Sequence, residues 1–123
     1  MLRNGVLAFL GGVLLVGCAG STPRAADPGQ AVEALKVTLE AWKNGQKSGS
    51  LRQHATAITA SDPDWEKGTR LLRYEVLDSE SRPSGFDLSC PVRLWLDDNK
   101  PRRVSYSVST SPRLVVVRDL GSP

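Results

Sequence analysis

The chain has 123 residues, with 16 Lys+Arg against 13 Asp+Glu for a formal charge of +3. So small an excess carries no case for nucleic-acid binding, which needs a strongly basic face. A single histidine rules out a His-rich metal site within one chain, and two cysteines rule out a disulfide framework.

Met1 to Asn4 is a short polar start with one cation, Arg3, and Val6 to Val16 is apolar apart from Gly11 and Gly12. About 11 residues make roughly 16 Å of helix at 1.5 Å per residue. A bilayer core needs about 20 apolar residues, so the stretch has the proportions of a secretory signal, not of a lasting membrane span. Leu15-Val16-Gly17-Cys18 resembles the lipobox of bacterial lipoproteins, with small Gly17 before the cut and Cys18 after it. That resemblance implies a signal peptide over 1–17, diacylglycerol on the Cys18 thiol, and a chain held on the extracytoplasmic side of a membrane. In that family the new amino end is often acylated too, and two or three chains anchor stably where one is marginal. Ala19 stands where an aspartate would favour inner-membrane retention in proteobacteria, which points to the outer membrane. With Cys18 lipidated, Cys90 is the only thiol left and no intramolecular disulfide can form.

The segment 18–26 is rich in Ala, Gly, Ser, Pro and Thr and reads as a tether. One α+β domain is expected over 27–119, with a short tail over 120–123. Asp27 is an N-cap, Pro28 fits the first helical position, and Gln30 can complete a capping-box-like pair. Val32, Leu35, Leu39 and Trp42 recur at intervals of 3, 4 and 3, an amphipathic helix with one apolar stripe. Glu33/Lys36 and Glu40/Lys43 are spaced for ion pairs, and Asn44-Gly45 is a stop signal. Ser48 to Ala60 allows a short second helix through Leu51, Ala55 and Ile58, with Ser50 as its cap. Asp62 to Gly68 reads as a capped single turn ending on glycine.

Strands follow. Arg70 to Leu77 puts Leu72, Tyr74 and Val76 on one face and Leu71, Arg73, Glu75 and Leu77 on the other. After a turn-rich connection, Phe86 to Leu96 alternates, with Phe86, Leu88, Cys90, Val92, Leu94 and Leu96 inward. Pro91 has no amide hydrogen, so the strand should be an edge there or carry a bulge. Asp97 to Pro101 is a hairpin loop. Arg102 to Thr110 sets Val104, Tyr106 and Val108 against Ser105, Ser107 and Ser109, and Leu114 to Arg118 is a short apolar fourth strand. One long amphipathic helix packed on a curved antiparallel sheet of about four strands is an α+β layout. It resembles the cystatin-like or NTF2-like architectures. Ala41-Trp42-Lys43, the Asp62 to Trp65 turn and Gly85-Phe86-Asp87-Leu88 also resemble segments of small lipoproteins of planctomycete-type bacteria, a resemblance that implies fold without activity.

Catalytic motifs are missing: no Gly-x-Ser-x-Gly elbow, phosphate loop or His-Glu-x-x-His occurs. His54 lies in a polar stretch and reads as a solvated histidine. Cys90 reads as a buried structural thiol rather than a nucleophile. Asp97 and Asp98 lack the spaced oxygens of a calcium loop. The cystatin inhibitory motif is absent, since Gln30 to Ala34 lacks its glycine and falls inside the helix. No catalytic residue, cofactor or metal is therefore expected. Two candidate sites remain. Tyr74 and Tyr106 lie on apolar strand faces, where an NTF2-like cavity would let them serve a small enzyme or ligand carrier. Arg93 and Trp95 share an outward face and Arg102 and Arg103 open the next strand, the composition of a contact patch for an envelope protein or anionic envelope polymer. The favoured reading is a membrane-anchored envelope lipoprotein, binding or structural in role and not an enzyme.

Overall fold

A computed structural model describes residues 24–121. The expected signal peptide over 1–17, Cys18 and the tether as far as position 23, and tail positions 122–123 lie outside the described residues. The fold is α+β: a mixed sheet curled into a half-barrel around one helix.

Helix α1 spans Pro28–Lys43. The Asp27 carboxylate accepts from the Gln30 amide at 2.8 Å, and Pro28 takes the first helical position, where no amide is needed. The reciprocal half of the expected capping box is replaced. The Asp27 amide donates to the Thr110 hydroxyl at 3.0 Å, which ties the helix start to the end of a distant strand. At the other end Gly45 takes φ +84°, and the Gly45 and Gln46 amides return to the Trp42 and Ala41 carbonyls. The buried face comprises Ala31, Ala34, Leu35, Thr38, Leu39, Ala41 and Trp42, with Val32 half-buried at its margin. Burying Leu35 and Leu39 stabilises the fold by about 1.5–3 kcal/mol each. The expected ion pairs within the helix give way to longer-range bonds, Lys36 to Asp78 at 3.6 Å and the Tyr74 hydroxyl to Glu40 at 2.8 Å.

The expected second helix does not form. Ser48–Gln53 is a 3₁₀ turn that buries Leu51, Ala55 is exposed, and Ile58–Ser61 is a strand, β1. Ser50 does not cap it but donates back to the Lys47 carbonyl at 2.7 Å. Leu51 and Ile58 alone give a helix no continuous stripe. β-branched Ile58 and Thr59 instead pair with a valine-rich strand. Helix α2, Pro63–Glu66, is the capped turn the sequence indicates, with Asp62 as its N-cap and Gly68 beyond its end at φ +93°.

The remaining strands are β2 (Leu71–Val76), β3 (Arg82–Ser84), β4 (Asp87–Leu96), β5 (Pro101–Ser109) and β6 (Leu114–Asp119). Their order is β1-β6-β5-β4-β2, with β3 also paired to β4. The sheet thus has six strands, not about four. It is mixed rather than antiparallel, because β1 runs parallel to β6, with Ile58 against Leu114 and Ser61 against Val117. Three particulars correct the strand reading. A register shift between Leu71 and Arg73 turns Leu71 into the core opposite Leu96. Phe86 does not point inward but is 62% exposed, on the turn where Gly85 adopts φ +63°. Pro91 is buried inside a strand with neighbours on both sides, yet its carbonyl accepts from the Leu77 amide. Its nitrogen therefore points to the same flank, just past the end of β2, where the Leu77 carbonyl accepts from the Glu80 amide instead of from the strand.

The core lies between α1 and the concave face. Leu88, Cys90, Val92, Leu94 and Leu96 come from β4, Tyr106 and Val108 from β5, Leu114 and Val116 from β6, and Ile58 from β1. Cys90 is free and fully buried, as the alternation indicates, and burial pushes its thiol pKa up. At the far end of α1, Trp42 and Trp65 stack with ring centroids 5.6 Å apart. Each indole N–H donates at 2.9 Å to a loop carbonyl on the opposite segment, Trp42 to Thr69 and Trp65 to Gln46.

Candidate functional site

The two tyrosines share the concave side but not a cavity. Tyr74 on β2 donates its hydroxyl to Glu40 on α1, and its pKa is pushed up to about 12, by burial first and by Glu40 second. Tyr106 on β5 is 1% exposed and donates to Asp62. The space between α1 and the sheet beside Tyr106 has a volume of ≈ 0 Å³ open to a water-sized sphere, so it is filled rather than open. Each tyrosine is paired with a carboxylate that β-alternation alone does not show, because both acids come from outside the sheet. Tyr74 borders an open depression of about 420 Å³ that also holds Glu40 and His54. His54 is exposed there and bonds to neither partner among the described residues.

Asp62 is the centre of a buried polar network. It is 2% exposed and accepts from the Asp64 amide at 2.8 Å, the Trp65 amide at 3.3 Å, the Tyr106 hydroxyl and Arg118, whose Nη1 lies 3.2 Å from both carboxylate oxygens. Arg118 reaches Asp64 as well, at 3.0 Å. Burial works against the Arg118 cation, but the Asp62 charge and the Asp64 hydrogen bond outweigh it and leave its pKa raised. Burial, the Asp62 charge and the hydrogen bond it accepts push the Tyr106 pKa well up, so the phenol stays protonated. With the side chains of Asp62 and Arg118 only 3% and 11% exposed, this network is largely withdrawn from water. It clamps the end of β1, α2, β5 and β6 together. The sequence signal for it is period two on β6, where Leu114, Val116 and Arg118 share the inward face.

The outer face of the sheet is built differently, because no helix covers it. Arg73 on β2 lies with its guanidinium carbon 4.3 Å from the centre of the Trp95 ring. Arg93 on β4 and Arg103 on β5 stand directly opposite each other in register. Each has its own carboxylate: Arg93 binds Glu75 at 2.7 Å, and Arg103 binds Glu80, whose pKa it holds down. Pro101 faces Trp95 across the hairpin, and Ser105 and Ser107 continue the face away from it. Three of the four expected patch residues therefore come together. Arg102 does not belong with them: it follows Leu94 in register to the concave side and sits 3.9 Å from Asp64. Adjacent residues on a strand point to opposite faces, so Arg102 and Arg103 cannot share one patch. Arg73, which the sequence reading leaves out of the patch, takes Arg102's place.

Among the described residues no group of three or more His, Cys, Asp or Glu side chains is arranged to hold a metal ion, and no helix is long and apolar enough to cross a membrane. Compared with family models, with curated proteins and with solved structures, the chain gives no match.

Proposed function

We propose that this chain is a lipid-anchored binding module of the cell envelope. It is held through Cys18 on the extracytoplasmic side of a membrane, the outer membrane by the Ala19 criterion, and meets its partner with the outer face of its sheet. The observation that carries the proposal is the uncovered cluster of Arg73 over Trp95 beside Arg93 and Arg103. Tryptophan and arginine supply contact energy out of proportion to their number. Glu75 and Glu80 partly neutralise the arginines, so the face is of mixed charge and suits a protein partner better than a polyanion. The curled sheet around helix α1 supports a cystatin-like or NTF2-like layout. The filled space beside Tyr106 does not favour the alternative of an enzyme or carrier working through an NTF2-like cavity.

A photo-crosslinking residue placed at Pro101 in the acylated chain, in intact cells, tests this. It should give one dominant protease-sensitive adduct that Arg73→Ala with Arg93→Ala removes. The same probe at Glu33, on the exposed side of α1, should not give it. Equal adducts from both positions, or none from position 101, would sink the proposal.

A further inference from the structure

Among the exposed large hydrophobic side chains described, Phe86, Val117 and Leu120, only Phe86 is aromatic. It is 62% exposed although the strand it precedes would have hidden it, and its backbone carbonyl accepts from the Ala26 amide at 2.9 Å. Ala26 is where the chain arrives from Cys18. The chain between Cys18 and Ala26 has eight peptide links and reaches at most roughly 28 Å when fully extended. On an acylated chain Phe86 therefore lies no further than that from the bilayer.

Topology gathers the same end of the molecule around it. The turn Gly85-Phe86, the β5–β6 connection at Ser111 to Arg113, and the start of α1 all lie there, since β4 and β6 begin and β5 finishes at that end. Arg113 in that connection, Arg24 just ahead of α1 and Arg82 at the start of β3, which runs down to the turn, are exposed, and among the described residues none has a carboxylate within ion-pair distance. The carboxylates nearby are engaged, Asp27 by the Gln30 amide, Asp87 by the Ser107 hydroxyl at 2.9 Å, and Glu80, which also feels the Arg82 charge, by Arg103. The opposite end, with Asp97, Asp98 and Lys100 in its hairpin, is of mixed charge, and the exposed Leu120 beside Val104 is aliphatic and carries no ring of unpaired cations.

An exposed aromatic ring among unpaired arginines matches a bilayer interface, where the ring enters the headgroup boundary and the cations meet anionic lipid. We infer that the Phe86 end is a second membrane contact: Phe86 dips into the surface that carries the anchor, with Arg24, Arg82 and Arg113 on its anionic headgroups. This inference rests on acylation of Cys18. It fixes an orientation in which the strands stand along the membrane normal and the Trp95 face looks sideways, clear of the lipid.

Spin labels on Phe86→Cys and, separately, Asp97→Cys test it in the acylated full-length protein on mixed phosphatidylcholine–phosphatidylglycerol vesicles. Cys18 is blocked by its lipid and Cys90 is fully buried, so one label per chain also certifies the fold. The label at 86 should show a several-fold higher ratio of oxygen to nickel-complex collisions than the label at 97. Replacing Arg24, Arg82 and Arg113 with glutamine should narrow that difference. Equal, water-like ratios at both sites, with acylation of Cys18 verified by mass, would overturn the contact and leave the anchor standing. A Cys18 mass without lipid would overturn the anchor and the contact with it. A glutamine variant whose label sits as deep as before would remove the arginines from the contact.

Discussion

Two clusters in this molecule use the same parts, arginine, carboxylate and an aromatic ring, and do opposite things with them. At the closing end of the sheet, Asp62, Tyr106 and Arg118 are out of water, and the carboxylate accepts from two amides, a phenol and a guanidinium. On the outer face, Arg73, Trp95, Arg93 and Glu75 are half in water. Burial multiplies the electrostatic interaction and also the penalty for leaving any member unpaired. Exposure screens the interaction and leaves each member free to trade its partner for another molecule's. Similar residue types therefore make a clamp in one place and a contact surface in the other. What decides between them is whether a helix or turn lies on top, as α2 lies over Asp62, whereas only the Arg73 side chain lies over Trp95.

The comparison breaks most easily at Asp62. Asp62→Ala leaves Arg118 and the Tyr106 hydroxyl without their main acceptor and removes the cap of α2. The loss should be about 3–5 kcal/mol in denaturant unfolding. A loss under about 1 kcal/mol, of the size expected at exposed positions, would mean the network is not a clamp. Tyr106→Phe is the next largest, about 1.5–3 kcal/mol for one hydrogen bond to a charged acceptor. The same bond has a pH signature. The folded chain holds Tyr106 protonated well above the free value of 10.0, and Tyr74 up to about 12. Between those values the unfolded chain has released protons that the folded chain retains, so the tyrosines' contribution to stability is whole below pH 10 and declines as pH rises above it. The thiol of Cys90, also pushed up, adds to the decline from its free value of 9.0. Phenolate absorbance should rise only as pH approaches about 12, where Tyr74 titrates, unless the chain unfolds first, and Tyr106→Phe should flatten the alkaline decline in stability.

The clamp and the contact surface differ also in how far the sequence reveals them. Period-two alternation places Cys90, Val92, Leu94 and Val108 inward correctly, and the cap signals of Asp27 and Asp62 locate both helix starts. Such signals are local, and local rules work where the competing forces are local. Ile58 to Ser61 escapes them because its strand state depends on β6, more than fifty residues later in the chain. The same holds for the carboxylates of the two tyrosines, Glu40 and Asp62, which only the packing of α1 and α2 brings to the sheet. The outer patch is readable in part: alternation yields Arg93, Trp95 and Arg103 and sends Arg102 to the other face, whereas the register of β2 on β4 is needed to add Arg73. The irregularity after Leu71 shows the limit of the rule, since one extra residue reverses which side chain a strict alternation buries.

The smallest effects on stability belong to the outer face, and their smallness is what distinguishes it. Arg73→Ala removes a guanidinium from a partly exposed indole, an interaction of about 0.5–1 kcal/mol. Arg93→Ala removes an ion pair whose side chains are 40% and 49% exposed, and screening by water holds the loss within about 0.5 kcal/mol. A clamp residue mutated to alanine loses stability and, through misfolding, everything else. A contact residue should keep its unfolding midpoint and lose its partner. Arg73→Ala with Arg93→Ala should therefore leave the denaturation curve almost in place and abolish the crosslink from position 101. If instead the double variant unfolds as readily as Asp62→Ala, the outer cluster supports the fold in the same way as the inner one. The distinction drawn from burial alone would then fail.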